Sequence, residues 1–244
     1  MKKLKNMVLF IFMLLTACAF FNPGWVEAGS YRVGIHHIPP FSVIEKSGAY
    51  KGILVEVLEN TLKKAGISYT VTPVPQKRMY NDLATGDMDI SMGVKGVPAY
   101  EGKILFSEFV VTNFDLRVYA RKGTALIRNK EEFKGKKVIV ILGYGYGGFI
   151  RFLKDPANHI AIDPTTTHVL AFRKLMAERA DYVLDYHRPA SVAIAEEGVA
   201  EEVVSHSLSN VNVYFIISKK TPNARKLMKQ MEEAYQSLKA EGKL

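Results

Sequence analysis

Cysteine is almost absent from this 244-residue chain, because Cys18 is the only one and it lies near the N-terminus. An internal disulfide is therefore excluded, and burial of apolar side chains has to hold the fold together. The metalloprotease motif H-E-x-x-H and the serine hydrolase motif G-x-S-x-G are also absent. These absences argue against the commonest hydrolase classes, and no metal or organic cofactor is expected.

Acidic residues are fewer than basic ones, 24 against 33, which gives a net charge of +9. Residues 1–28 contain three lysines and one glutamate, so the remainder of the chain carries +7. The basic residues are spread along the sequence, and the densest cluster, residues 134–137, precedes a predicted strand. Such a distribution favours solubility over a nucleic-acid surface, and no nucleic-acid partner is predicted.

Long hydrophobic runs are missing except at the N-terminus, where residues 7–17 are apolar apart from Thr16. Three lysines precede this run, a break at residues 22–24 follows it, and Ala28 ends the segment with a small residue. This is the layout of a secretory signal peptide, so residues 1–28 are predicted to be cleaved and the protein to be periplasmic.

Two alternatives remain open for this segment. It is short for a membrane span, which takes about 20 apolar residues, but a short membrane anchor is still compatible with it. Residues 15–18 (LTAC) also resemble the lipobox of bacterial lipoproteins, in which the cysteine is lipidated. Anchoring through a lipid on Cys18 is therefore the second alternative.

Strand and helix patterns alternate after residue 30, which predicts an α/β fold with parallel strands. Strands are predicted over residues 31–35, 68–74, 88–93, 116–120, 137–142, 159–162, 181–185 and 211–218. Helices are predicted over residues 54–65, 77–84, 148–154, 169–176, 190–197 and 222–239. The pattern restarts near residue 116, so two α/β halves are expected to follow one another.

Six short patterns occur in an order that resembles one protein family. They are residues 31–41 with the Pro-Pro-Phe turn, 51–57 (KGILVEV), 83–89 (LATGDMD), 104–107 (ILFS), 133–138 (FKGKKV) and 179–185 (RADYVLD). Together they resemble family 3 of the bacterial extracellular solute-binding proteins, which includes amino-acid receptors of ABC importers.

The resemblance implies the type II periplasmic binding fold, with two lobes, a hinge and an interlobe cleft that holds the ligand. It implies a first lobe made of residues 29–113 and 208–244, and a second lobe, residues 114–207, inserted between them. A single continuous sheet, or a joint without room for a ligand, would argue against this interpretation.

Several site residues follow from the resemblance. Asp185 matches the aspartate that binds a ligand ammonium group, although it could instead cap the following helix. Phe41 matches the apolar wall of the pocket, or else a core position. Gly93 and Val94 match the segment whose backbone contacts the ligand, although Gly93 could simply end a strand.

The arginine that binds the α-carboxylate in amino-acid receptors of this family has no match here. Its position falls on Tyr100 or Glu101, and neither can replace a guanidinium group. Arg78 lies in residues 75–78 (PQKR), which resemble the P-W-K-R step of another branch of the family. Arg78 is therefore predicted either to compensate from the cleft or to be an ordinary surface arginine.

A glycine-rich loop, residues 143–148 (GYGYGG), falls where the family has a ligand-binding loop. Its glycines would let backbone N–H groups converge on an anion, and Tyr144 or Tyr146 is predicted to cover the ligand. A dinucleotide site is the alternative, but the spacing differs from G-x-G-x-x-G.

The predicted function is capture of a small amino-acid-like molecule or small carboxylate, and its delivery to an ABC transporter permease by a monomeric, non-enzymatic receptor. A ligand-sensing module for a membrane signalling protein would have the same sequence features. A small dehydratase on the same fold is the third alternative, because His36 and His37 could form acid/base partners with Asp185.

Overall fold

Helices and strands alternate throughout the computed structural model, which describes residues 29–244; the predicted signal peptide and Cys18 lie outside the described residues. The strands are β1 (Tyr31–Ile35), β2 (Val43–Ile44), β3 (Tyr50–Lys51), β4 (Tyr69–Pro73), β5 (Ile90–Val94), β6 (Ile104–Phe106), β7 (Thr112–Arg121), β8 (Lys137–Ile141), β9 (Ala161–Thr165), β10 (Tyr182–Tyr186) and β11 (Val203–Ser218). The helices are α1 (Ile53–Lys64), α2 (Gln76–Thr85), α3 (Phe149–Lys154), α4 (His168–Met176), α5 (His187–Glu197) and α6 (Ala224–Ala240).

One mixed sheet organises the described residues, in the order β4-β1-β5-β11-β7-β10-β8-β9, with β6 also paired to β11. Strand β1 is parallel to β4 and β5, and strand β8 is parallel to β9 and β10. We call β4, β1 and β5 the first half of the sheet, and β10, β8 and β9 the second half. The α/β class predicted from the alternation is confirmed.

The sheet is hydrogen-bonded continuously from one half to the other, contrary to the expectation that a continuous sheet would exclude two halves. The sheet is continuous because two antiparallel strands, β7 and β11, lie between the halves and pair with each other. Residues 203–213 of β11 pair with β7, and residues 213–217 pair with β5. A register shift between Ser207 and Ser209 interrupts the β7–β11 ladder where the chain passes between the halves.

Helix α6 closes the first half of the sheet although it comes last in the chain. Its buried residues Leu227, Met231, Tyr235 and Leu238 recur every three or four positions, which is the spacing of one helix face. Each buried side chain of this size contributes about 1.5–3 kcal/mol. The helix contacts α1, and Lys64 at the end of α1 forms a 2.6 Å ion pair with Glu241.

The predicted helices and strands are present, but several of their ends differ, and strands β2 and β3 were not predicted. The strand predicted over residues 211–218 begins earlier, at Val203, and strand β6 was not predicted. The helix predicted from residue 222 begins at Ala224. Among residues 29–244, none of the helices combines the length and apolar character needed to cross a membrane.

The parallel strands of the two halves run toward each other and end at the central joint. Val94 of β5 pairs with Val213, while Tyr186 of β10 lies across β7 from Ser209. The first-half strands end at Ile35, Pro73 and Val94, and the second-half strands end at Ile141, Thr165 and Tyr186. Residues that follow these strand ends line the cavities described below, and such ends are the usual binding positions in α/β sheets.

Candidate functional site

Three adjoining cavities lie where the two halves face each other, and each is lined by residues from both halves. The inner cavity, about 30 Å³, is lined mainly by His36, Gln76, Tyr80, Gly93, Val94, Tyr144 and Tyr186. The outer cavity, about 540 Å³, is lined by His37, Ile44, Pro73, Val74, Pro75, Gln76, Lys77, Ile141, Leu142, Tyr144, Thr166, Thr167 and His168. The side cavity, about 360 Å³, includes Lys77, Tyr80, Val97, Leu142, Tyr144 and Lys154.

Tyr144 lines all three cavities, so it stands at the centre of the candidate site. The buried ring contacts the rings of Tyr146, Tyr186 and His168, with centroid distances of 5.5 to 5.7 Å. The Tyr144 hydroxyl lies 3.2 Å from Nε2 of His168. The inner cavity holds little more than one water, so room for a ligand lies in the outer and side cavities.

A buried hydrogen-bonded chain supports Tyr144 from behind. Nδ1 of His168 lies 2.6 Å from Oδ2 of Asp185, and the Tyr186 backbone N–H donates to Oδ1 of Asp185 at 2.8 Å. Asp185 is fully buried, with 0% relative exposure. Because the carboxylate binds Nδ1, it directs Nε2 of His168 toward Tyr144 and the cavities.

The charge of Asp185 affects the pKa values of the tyrosines around it. Burial raises the pKa values of Tyr144, Tyr146 and Tyr186 well above the usual range, and the nearby negative charge of Asp185 adds to the effect. Burial likewise raises the pKa of Tyr80, on the opposite wall, to about 12. These phenols therefore stay neutral at physiological pH and act as hydrogen-bonding, apolar surfaces.

The glycine-rich loop packs directly against the first half of the protein. Gly96 has a φ of 78°, and a Cβ atom added there would lie 2.5 Å from the backbone nitrogen of Gly148. A Cβ atom on Gly145 would lie 2.8 Å from Cγ2 of Val97. Glycine is thus required because the two backbones approach too closely for any side chain. An exposed ion pair between Glu101 and Arg151 joins the same two segments.

The structure brings three of the predicted site residues together at the inner cavity: Gly93, Val94 and Tyr144. Asp185 lies directly behind this wall, with both of its carboxylate oxygens already bonded. Its predicted contact with a ligand ammonium remains a prediction. The predicted alternative of a helix cap is not observed, because α5 has Tyr186 at its N-cap without a side-chain cap bond, and the Tyr186 N–H that Asp185 bonds lies outside the helix.

The other predicted residues lie away from the cavity walls. Phe41 is buried against Phe114, with ring centroids 4.5 Å apart, and the Arg188 guanidinium lies 5.6 Å above its ring. Tyr100 is buried behind the inner cavity and donates to the Val94 carbonyl at 2.6 Å. Arg78 points to solvent, with a side chain 70% exposed and Nε 3.4 Å from Oδ2 of Asp82.

Residues outside the predicted set complete the site. Gln76, Lys77 and His168 line the outer cavity. Thr167 caps α4 by accepting from the Leu170 N–H. That cap places His168 in the first turn of α4, beside the end of β9. A histidine at the start of a helix that follows a strand end was the sequence signal that could have identified this residue.

The histidines weighed as acid/base partners of Asp185 occupy different places. Asp185 pairs with His168 instead of His36 or His37. Burial, with a smaller contribution from the imidazoles of His168 and His37, lowers the pKa of His36 from 6.5 to about 4. Among the described residues, no group of three or more His, Cys, Asp or Glu side chains could hold a metal ion.

Solved structures of the same architecture cover most of the chain. A histidine kinase sensor domain with similarity to periplasmic binding proteins is 19% identical, with a TM-score of 0.73 over 87% of this chain and 91% of that chain. An ancestral arginine-binding protein bound to arginine is 20% identical, with a TM-score of 0.69 over 88% and 94%. An ABC uptake transporter substrate-binding protein from Streptococcus pneumoniae with bound histidine is 20% identical, with a TM-score of 0.68 over 88% of both chains.

These likenesses establish the type II periplasmic binding fold. A sequence search of curated proteins found no match to the chain. The model of one family matches residues 31–244, the whole region in which the strand and helix patterns occur. This chain therefore belongs to the bacterial extracellular solute-binding proteins, family 3.

Proposed function

We propose that this protein is a periplasmic receptor that captures a small polar molecule, amino-acid-like or a small carboxylate, and delivers it to the permease of an ABC importer. The observation that carries the proposal is the group of cavities at the joint, each lined from both halves of the sheet. A ligand bound there contacts both halves at once, so its binding energy favours the closed arrangement by a few kcal/mol.

The two lobes proposed for this motion comprise residues 29–113 with 208–244, and residues 114–207. The register shift between Ser207 and Ser209 supports a hinge near the second boundary, because the interrupted ladder is weaker there. The close packing of Gly96 on Gly148 supports a closed arrangement, from which ligand exchange requires the halves to separate.

In this proposal the backbone of Gly93 and Val94 and the side chain of Tyr144 contact the ligand. Asp185 acts through His168, and Tyr100 and Phe41 support the walls from behind. Arg78 reaches the ligand only if its exposed side chain leaves Asp82. The protein works as a monomer without cofactor and releases its ligand unchanged.

Thermal unfolding of the chain comprising residues 29–244 tests the proposal, with a panel of amino acids, their analogues and small carboxylates. A ligand at a hundred times its Kd should raise the free energy of unfolding by about 2.7 kcal/mol. Small-angle scattering with the same compounds should detect closure as a smaller radius of gyration. Absence of stabilisation across the whole panel would contradict the receptor function.

A ligand-sensing role is the second candidate, favoured by the likeness to a histidine kinase sensor domain. Reconstitution distinguishes the two candidates. The loaded receptor should stimulate the ATPase of its cognate importer in liposomes, whereas a sensor should instead change the autophosphorylation of a membrane kinase. Mass spectrometry of the recovered ligand tests whether it is released unchanged.

A further inference from the structure

The cavities at the joint lack acidic side chains among the residues described by the structure. None of the three linings contains an aspartate or glutamate. They contain instead the nitrogen-bearing side chains of His36, His37, Lys77, Lys154 and His168. A ligand ammonium placed here would meet no free carboxylate, and an anion would meet several donors.

Three carboxylates on segments that form the joint are already paired. Asp185 is bonded by His168 and by the backbone of Tyr186, and it lies behind the wall. Glu101 is paired with Arg151, and Asp82 with Arg78. If Asp185 bound a ligand ammonium instead, its buried bond to His168 would break. Breaking a buried pair costs more free energy than breaking an exposed one.

Lys77 is the strongest candidate for the charge that recognises the ligand. It lies in the first turn of α2 and lines both the outer and the side cavity. No described acidic side chain forms an ion pair with it, unlike its neighbour Arg78. His168 lines the same cavity from the opposite half. Because its Nδ1 is bonded to Asp185, its Nε2 donates to an anion in the doubly protonated imidazolium form.

Part of the outer-cavity wall is apolar. Ile44, Val74, Ile141 and Leu142 contribute to its wall, and Leu142 is a large apolar side chain that is 47% exposed. An apolar ligand body would cover Leu142 and gain about 25 cal/mol per Å² of surface removed from water.

We propose that the ligand is a small organic anion with an apolar body and no ammonium group, its carboxylate held between Lys77 and His168. This inference rests on the proposed receptor function and narrows its ligand class. The carboxylate binds one side chain from each half of the protein, so the negative charge itself stabilises the closed arrangement.

Titration calorimetry at pH 7 in a buffer free of phosphate and carboxylates tests the inference with matched pairs. The pairs are 4-methylpentanoate with leucine and 3-phenylpropanoate with phenylalanine, and the neutral amide 4-methylpentanamide controls for charge. We expect a carboxylate to bind about ten-fold or more tightly than its amino acid and its amide. Lys77 is exposed, and the substitution Lys77→Met should weaken carboxylate binding by about ten-fold.

Lys136→Met is the matched control, because Lys136 is exposed and precedes β8 at the end opposite to the outer cavity. It should leave the carboxylate Kd unchanged. Tighter binding of the amino acid, or an unchanged Kd in Lys77→Met, would overturn the anion assignment. If an amino acid binds and scattering detects closure, the receptor function stands without this inference; if no panel compound binds, both are wrong.

Discussion

Nδ1 of His168 and Oδ2 of Asp185 are 2.6 Å apart, and this contact joins the first turn of α4 to the end of β10. The carboxylate is fully buried, whereas the His168 side chain is 12% exposed. Asp185 therefore fixes an imidazole that faces the cavities, and the acid itself stays out of reach of solvent. The two residues act as one unit.

Substitution Asp185→Asn should lower the free energy of unfolding by about 2–4 kcal/mol, because a buried charged partner of His168 is lost. His168→Gln should cost a similar amount, because Oδ2 of the buried carboxylate loses its imidazole partner. Urea unfolding of both variants and of the double variant checks the coupling. If the two losses add fully in the double variant, the residues do not act as a unit.

Gly96→Ala should disfavour the closed arrangement, because its Cβ would lie 2.5 Å from one backbone atom of Gly148 and 2.6 Å from another. Small-angle scattering should show a larger radius of gyration with ligand present, and the ligand Kd should rise about ten-fold or more. Gly123→Ala is the control, because its φ is also positive, at 90°, but no atom lies within 4 Å of the added Cβ.

Removal of the exposed ion pair between Glu101 and Arg151, near the same joint, should have little effect on the stability of the fold or on the separation of the halves. Glu101 and Arg151 are each more than half exposed, so Glu101→Gln should change the free energy of unfolding by less than about 1 kcal/mol. A shift of scattering as large as in Gly96→Ala would mean that the ion pair, and not the backbone contact, holds the halves together.

Asp89→Asn should cost about 2–3 kcal/mol at pH 7. Burial alone would raise the pKa of Asp89, but hydrogen bonds from the Arg32 side chain and backbone N–H and from Thr221 outweigh it and lower this pKa. The stability from the carboxylate is therefore present above about pH 4 and is lost as the pH falls through the lowered pKa. Urea unfolding at pH 7 and pH 3 should show the cost of the substitution shrinking, while exposed Asp87→Asn should cost little at either pH.

Stability should also fall between pH 7 and pH 5 because of His36. Its folded pKa, about 4, lies below the unfolded value of 6.5, so in this interval only the unfolded chain binds the proton. The linked loss is about 2 kcal/mol at pH 5, and it is absent above pH 7. His36→Gln should reduce this loss in paired urea titrations, whereas His159→Asn, at an exposed position with a φ of 51°, should leave it intact.

Local patterns were enough to predict most elements of the fold, because each rests on neighbouring residues. In residues 83–89, for example, Gly86 ends α2 with a φ of 86° and Asp89 accepts from Arg32. The first part of β11, residues 203–210, was missed because its side chains are largely polar. Its strand conformation comes from pairing with β7, about 90 residues earlier in the chain.

The site was predictable only in part, for two physical reasons. The partner of Asp185 is His168, and no local signal links residues 17 positions apart. The choice between Lys77 and Arg78 depends on helix phase, since successive side chains point about 100° apart. If α2 began one residue earlier or later, Arg78 and not Lys77 could face the cavity. Sequence patterns do not locate helix ends to within one residue.

The central strand of the sheet is also one of the last segments to be synthesised. Until residues 203–218 are available, β5 and β7 each lack their partner in β11 and present unpaired backbone groups. A chain shortened before Val203 would keep most of its helices and strands, yet it would carry two open strand edges that favour aggregation. The fold is thus completed only when the C-terminal part of the chain is present, and truncation before Val203 should prevent stable folding.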